Sequence, residues 1–305
     1  MKKIVLRFSL ILVALAAMTA AVTAQERAPL LVNSAWVAQH LHDANLVLLH
    51  VSDPMGGPGG GFGKEHIPGA QEIGLGDIST SHGTGSARLS LELPPIEKLT
   101  SEFESRGISN DSRIVVYLGS GSVSYATRVI WTLAYYGLGD QVSLLDGGMS
   151  AWRAAGNPVT SEVKTPTPGK LTPHIHPEFF ADDAWVSAHL HQRGVSILDA
   201  RSPDSYGGAN DRGFPRTGHV PGAQNLPIEL LVNDDGQLKD RAAIGELFDK
   251  AGVKPGDQIA GYCYIGQRAT LIWFTATMLG YQARLYDGSW QDWSARTDLP
   301  VEKPK

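Results

Sequence analysis

One cysteine, Cys263, occurs in 305 residues, inside "GYCYIGQRAT", Gly261 to Thr270. A run of strand character precedes it, and the apolar "LIWFTATML" that follows has helix length. This pattern puts a lone thiol in the turn between a strand and a helix. Successive backbone N–H groups in such a turn, with the N-terminus of the next helix, form a concave anion site facing the sulfur. With the fixed charge of Arg268 nearby, that setting favours the thiolate, the form in which cysteine attacks. Gly266 allows a backbone geometry that a side chain would obstruct. The competing reading is a small buried hydrophobe. Compartment and chain organisation both count against it.

The first residues, "MKKIVLRFSLILVALAAMTAAVTAQ", combine a basic start, an apolar stretch and small residues at Val22 and Ala24. They read as a secretory leader over 1–24, cleaved before Gln25, rather than as a membrane anchor, because no stop-transfer charge cluster follows. The expected location is secreted, periplasmic, with no stable membrane span. Exported proteins meet an oxidising compartment where cysteines pair as disulfides. A single cysteine has no partner in its own chain, so it is either inert or kept for chemistry. Removing Lys2, Lys3 and Arg7 from 26 basic residues against 31 acidic ones leaves the mature chain at −8. That balance argues against nucleic acid and anionic membrane surfaces as partners.

The elements that must position the thiol occur twice. "HIPGAQEI" (66–73) returns as "HVPGAQNL" (219–226), and "LLDGGMSAWRAAGNPV" (144–159) returns as "RLYDGSWQDWSARTDLPV" (284–301). Between those markers, "RIVVYLGSGSVSYATRVIWTLAYYG" parallels "QIAGYCYIGQRATLIWFTATMLG". The shared order indicates a tandem duplication. It divides the chain into a first domain over 25–157, a linker rich in Pro, Thr and Gly over 158–173, and a second domain over 174–305. In each half, strand-like runs ("NLVLLHV", "RIVVYL"; "VSILDA", "QIAGYC") alternate with helical ones, and "ADDAWVSAHLHQ" (181–192) reads as a helix capped by Asp182 or Asp183. The fold class is therefore α/β, two tandem domains, each a parallel sheet flanked by helices. Sites in such sheets form beyond the carboxyl ends of strands.

The duplication is also an internal control. His66 and His219, Trp152 and Trp293, and Asp146 and Asp287 occupy equivalent places, which points to roles in the shared fold. His50 stands where the second half has Asp199, Ser52 where it has Arg201, and Leu118 where it has Cys263. These differences put the candidate site in the second domain.

The mature chain resembles the tandem-domain rhodanese (thiosulfate sulfurtransferase) family through "DARSPDSYGG", "GHVPGAQNLP", "YCYIGQRA" and "DGSWQDW", in that order. The resemblance implies an inactive first domain and a catalytic rhodanese domain whose cysteine accepts a sulfane sulfur as a persulfide and passes it to a thiol or cyanide acceptor. Cys263 is then the nucleophile. Tyr264, Ile265, Gly266 and Gln267 supply loop N–H donors to an anionic sulfur donor. Arg268 and Arg201 bind its sulfonate or hold the loop, and Asp199 supports the site by pairing with an arginine or capping a turn. Arg212 and Arg216 either steer the anion or lie in a solvated loop. One departure is Ser205, where well-studied members often carry a basic residue before the tyrosine matching Tyr206. Related phosphatases place five residues between cysteine and arginine; here four separate Cys263 from Arg268. An arginine in the loop favours thiosulfate over 3-mercaptopyruvate as donor. A non-turnover sulfane-sulfur carrier needs the same thiol. The histidine spacings supply no metal site, "GGPGGGFG" (56–63) lacks the ending of a phosphate loop, and no cofactor is expected. Two domains already paired in one chain suggest a monomer.

Overall fold

The computed structural model describes residues 28–53, 61–84, 88–210 and 212–303; the expected leader and most of the glycine-rich stretch at 56–63 lie outside them. The first half runs β1 (Leu31–Val32), α1 (Ser34–His40), β2 (Leu46–Val51), β3 (Gln71–Ile73), β4 (Thr80–His82), β5 (Leu89–Glu92), α2 (Ile96–Ser105), β6 (Arg113–Leu118), α3 (Val123–Leu133), β7 (Val142–Leu145) and α4 (Gly148–Ala154). The second runs β8 (Phe180–Ala181), α5 (Asp183–Ala188), β9 (Val195–Asp199), α6 (Pro203–Gly207), β10 (Gln224–Asn225), α7 (Arg241–Lys250), β11 (Gln258–Tyr262), α8 (Ala269–Leu279), β12 (Gln282–Tyr286) and α9 (Ser289–Ala295).

Each half builds one five-stranded sheet, ordered β1-β7-β6-β2-β3 and β8-β12-β11-β9-β10. Every pairing in both sheets is parallel. The two orders coincide element for element, as a duplicated sequence requires. The central strands β6 and β11 are buried apolar runs, as strands covered on both faces must be. Among the described residues the first half adds an antiparallel strand pair, β4 with β5, where the second has an isolated antiparallel bridge between Val232 and Leu238.

Equivalent residues do equivalent structural work. The Trp152 indole donates to Pro158 O at 2.8 Å and the Trp293 indole to Pro300 O at 2.7 Å. His66 stacks on Phe62 with ring centroids 3.9 Å apart, and His219 on Tyr206 at 3.8 Å. Asp182 caps α5 by accepting from Trp185 N at 2.7 Å. That helix stops at Ala188, short of the expected Gln192, and the chain then turns through His191 in the left-handed region. The segment between the halves is laid along the first domain: His66 and Thr160 form a bridge, and Gly169 N donates to Glu104 O at 2.8 Å.

The apolar core is continuous from one half into the other, with α3 packed on α8. In α8 every residue from Ala269 to Ala276 is buried, so this helix is apolar all round because it is covered all round.

His50, at the position of Asp199, is 1 % exposed, edge-on to Phe62 and Tyr117. Neither ring nitrogen has a hydrogen-bond partner among the described residues. Burial, reinforced by the positive charges of His66 and Arg153, lowers its pKa to about 4 from 6.5. Between those values the unfolded chain binds a proton that the folded one refuses, so stability falls as pH falls. Going from pH 7 to pH 5 should cost about 2 kcal/mol through this group. Urea unfolding at both pH values should therefore show a smaller acid loss in His50→Leu than in wild type. Equal losses would clear His50 as the acid-sensitive group.

Candidate active site

β11 ends at Tyr262, and Cys263 is the first residue beyond it. β11 lies between β9 and β12, where the chain order of the sheet reverses, so its carboxyl end is the topological switch point of the domain. Residues 263–268 then turn into α8, an eleven-residue helix whose N-terminus faces back along the loop. Cys263 itself is fully buried and unpaired.

A serine organises the loop from behind. Ser289 Oγ accepts from Cys263 N at 3.1 Å and Gly266 N at 3.0 Å, and donates to Tyr286 O at 2.8 Å. Its backbone sits at φ +53°, an uncommon conformation for a residue with a side chain, held by these three bonds. Trp290 N and Gln291 N continue the bracing by donating to Cys263 O at 3.0 Å and Tyr264 O at 2.9 Å. Among the described residues the N–H groups of Tyr264, Ile265, Gln267 and Arg268 have no acceptor, leaving them for an anion, whereas the Gly266 N–H, expected among these donors, is taken up by Ser289 Oγ. Gly266 adopts φ +77°, and a Cβ there would lie 2.8 Å from Asp287 Oδ1, so the position admits only glycine.

The charged residues divide. Arg268 is half-buried and ion-paired with Glu229. Arg201, expected either at the donor or holding the loop, is 1 % exposed, and its guanidinium is committed to the interior, bonding Asp199 through Nε (2.9 Å) and Nη2 (2.6 Å) and Gly218 O through Nη2 (2.7 Å). Burial disfavours its charge, but the Asp199 carboxylate and Tyr262 outweigh this and hold it above the ordinary arginine value. Its guanidinium also faces the Trp290 ring, 4.4 Å from the centroid. The reason is that Asp199 ends the strand next to β11 and its side chain turns inward, so the arginine two residues on follows it into the interior. Both readings of Asp199 hold: it pairs with the Arg201 guanidinium and caps the turn by accepting from Arg201 N at 2.9 Å, and Tyr262 Oη adds a 2.6 Å bond to the same carboxylate.

Arg216, read as steering an anion or lying in a solvated loop, is partly exposed but not free to steer an anion. It donates to the carbonyls of Trp293, Ser294, Arg296 and Leu299 and closes the end of α9. Arg212 lies over the Tyr264 ring, 4.8 Å from its centroid, on the rim of the loop. Ser205, read only as a departure from a pattern, is buried and bonds Tyr264 Oη at 2.8 Å, fixing that side chain. Ser289 was missed because it sits in "DGS", a word shared with the first half's "DGG" and so assigned to the fold; the signal was the serine in place of the second glycine. Among the described residues no cluster of His, Cys, Asp and Glu is placed to hold a metal ion, and no helix is long and apolar enough to cross a membrane.

Comparison with known proteins agrees with this geometry. The Rhodanese-like domain model matches twice, over residues 33–155 and 182–296. The sequence is 32 % identical to the "Sulfur carrier protein TtuD" of Thermus thermophilus over 90 % of this chain and 96 % of that one. It is 30 % identical to a "Probable 3-mercaptopyruvate sulfurtransferase" of Pseudomonas aeruginosa, over 87 % and 95 %. It is 31 % identical to the "Putative thiosulfate sulfurtransferase SseB" of Mycobacterium tuberculosis, over 77 % and 82 %. Among solved structures, SseA from Escherichia coli, described as a 3-mercaptopyruvate sulfotransferase, superposes with a TM-score of 0.75 at 26 % identity, covering 86 % of this chain and 99 % of that one. Two matched domains, sheets of identical order and a lone thiol at the switch point of the second place this chain in the family of tandem rhodanese-like domain proteins.

Proposed function

We propose that the protein is a sulfurtransferase that takes the sulfane sulfur of thiosulfate onto Cys263 and delivers it to a thiophilic acceptor. The observation that carries this reading is the loop: one thiol at the start of a turn whose free N–H groups and following helix suit a sulfur anion. The Cys263 thiolate attacks the outer sulfur of thiosulfate, an S–S bond forms to the protein, and the donor's S–S bond breaks with its electron pair leaving on sulfite. An acceptor such as cyanide then attacks the outer sulfur of the persulfide, and the thiolate is restored. The N–H groups of the loop stabilise negative charge on sulfur in both steps. The donor preference rests on the arginine carried by the loop, Arg268, which would have to share its charge between Glu229 and the donor, and on Arg212 at the rim. The leader expected over 1–24 would place this chemistry outside the cytoplasm.

The complete burial of Cys263 favours a second reading, a carrier whose persulfide is shielded and which a partner protein loads and unloads. It draws support from the similarity to the Thermus thermophilus sulfur carrier. Steady-state formation of thiocyanate from cyanide, with thiosulfate or 3-mercaptopyruvate as donor, separates the readings. We expect kcat/KM for thiosulfate to exceed that for 3-mercaptopyruvate by at least about tenfold, roughly the 1.4 kcal/mol of one well-placed charged contact. The reverse order would make 3-mercaptopyruvate the donor. Stoichiometric loading without turnover would establish the carrier.

A further inference from the structure

The half without the thiol reaches into the loop that holds it. Arg128, on α3 of the first domain, is completely buried. Its Nη1 donates to Gly266 O at 3.1 Å and pairs with the equally buried Asp287, and its Nη2 donates to Leu91 O on β5 at 2.6 Å. Around this centre the two halves exchange further bonds. Leu93 N donates to Asp287 Oδ2 at 3.0 Å, Ser90 N to Gln291 Oε1 at 2.7 Å, and Gln267 Nε2 to Ser124 Oγ at 2.6 Å. Thr127 and Thr270 meet through their hydroxyls at 2.8 Å, where α3 and α8 cross.

That contact pairs like with like, since the two threonines are equivalent positions of the duplicated helices. Arg128, the residue after Thr127, is then matched by Leu271, the residue after Thr270. Asp146, the equivalent of Asp287, accepts Leu238 N from the second half at 2.9 Å, just as Asp287 accepts Leu93 N from the first. The reciprocal docking of the halves is thus present on both sides, but the arginine is on one. It is on the side of Cys263.

We infer that Arg128 is a positioning residue for sulfur transfer, supplied by the domain that lacks the thiol. The inference rests on the sulfurtransferase reading of the Cys263 loop. In a trans peptide the carbonyl and the next N–H point in opposite directions. Pinning Gly266 O to Arg128 therefore turns Gln267 N–H away from Arg128, and pinning Gly266 N to Ser289 Oγ fixes the preceding peptide as well. Two consecutive peptides are held from opposite partners, one in each domain. The N–H of Gln267 is kept available for the transferred sulfur, and the first domain has a task that the sheet alone does not explain.

The test uses the full chain with Arg128→Lys and with Arg128→Met combined with Asp287→Asn. The double variant removes both charges of the buried pair and keeps an acceptor for Leu93 N, so it is expected to fold even where Arg128→Met alone does not. In variants whose melting temperature stays within a few degrees of wild type, we expect kcat for thiocyanate formation to fall at least tenfold with KM for the donor changed less than threefold, and Arg128→Lys to retain more rate than the double variant. We also expect iodoacetamide to alkylate Cys263 at least fivefold faster in both, because the loop that encloses it has lost a brace. Alkylation does not depend on sulfur transfer, so an inactive wild type would refute the functional reading while still testing the brace. Folded variants that alkylate at the wild-type rate would overturn the proposal, as would wild-type kcat in an active enzyme.

Discussion

Replacing Cys263 by serine is expected to reduce sulfur transfer by at least about a thousandfold, to the background of the uncatalysed reaction. A hydroxyl is neither ionised near neutral pH nor able to carry a sulfane sulfur as a persulfide, and the chain holds no second thiol to substitute for it. The fold should survive. Serine occupies nearly the same space, and the bonds that shape the loop run through the backbone of Cys263 and the Oγ of Ser289, which the substitution leaves intact. Melting temperature should stay within a few degrees of wild type while thiocyanate formation disappears. Incubation with thiosulfate should add about 32 Da, one sulfur atom, to the wild-type protein and nothing to the variant. A variant that kept a tenth of the activity would remove Cys263 from the mechanism and, with it, the persulfide.

Much of this arrangement was legible in the sequence because duplication supplies its own reference. A word found in both halves belongs to the fold: Trp152 and Trp293 close equivalent ends, and His66 and His219 stack on equivalent rings. A residue found in one half is a candidate for chemistry, which is how Cys263 stood out. The same rule failed in two ways. Arg201 occurs in one half only, yet it serves the interior, because the second domain buries a carboxylate at Asp199 where the first buries a neutral His50. Ser289 hid inside a shared word, and Arg128 hid in the half judged inactive. Arg128 reaches Gly266 across 138 residues, and no local pattern records a contact of that range. Periodicity announces strands and helices; it does not announce which side chain of one domain will enter the other.

Asp199→Asn is expected to cost about 3–5 kcal/mol of stability, among the largest losses available to a single substitution in the second domain. The carboxylate receives Arg201 N at 2.9 Å, the Arg201 guanidinium, and Tyr262 Oη at 2.6 Å, all in the interior. Replacing it with an amide leaves a buried guanidinium without its countercharge, and the amide's donor group replaces an acceptor facing Tyr262. Arg201→Met should cost a similar amount by stranding the carboxylate. The double variant, Asp199→Asn with Arg201→Met, should lose clearly less than the sum of the two, since it removes both charges and leaves an apolar stem against Trp290 and Tyr262. Urea unfolding of the four proteins closes the cycle. Activity then discriminates between the two places an arginine could serve. As an interior brace, Arg201→Met should retain the wild-type KM for thiosulfate in whatever fraction is folded, with kcat per folded molecule lowered less than tenfold. Were the guanidinium instead binding the donor, the same variant would raise KM by about tenfold or more at little cost in stability. Losses that add, together with a raised KM, would return Arg201 to the substrate; coupled losses with an unchanged KM leave it where the structure puts it, beneath the loop and committed to Asp199.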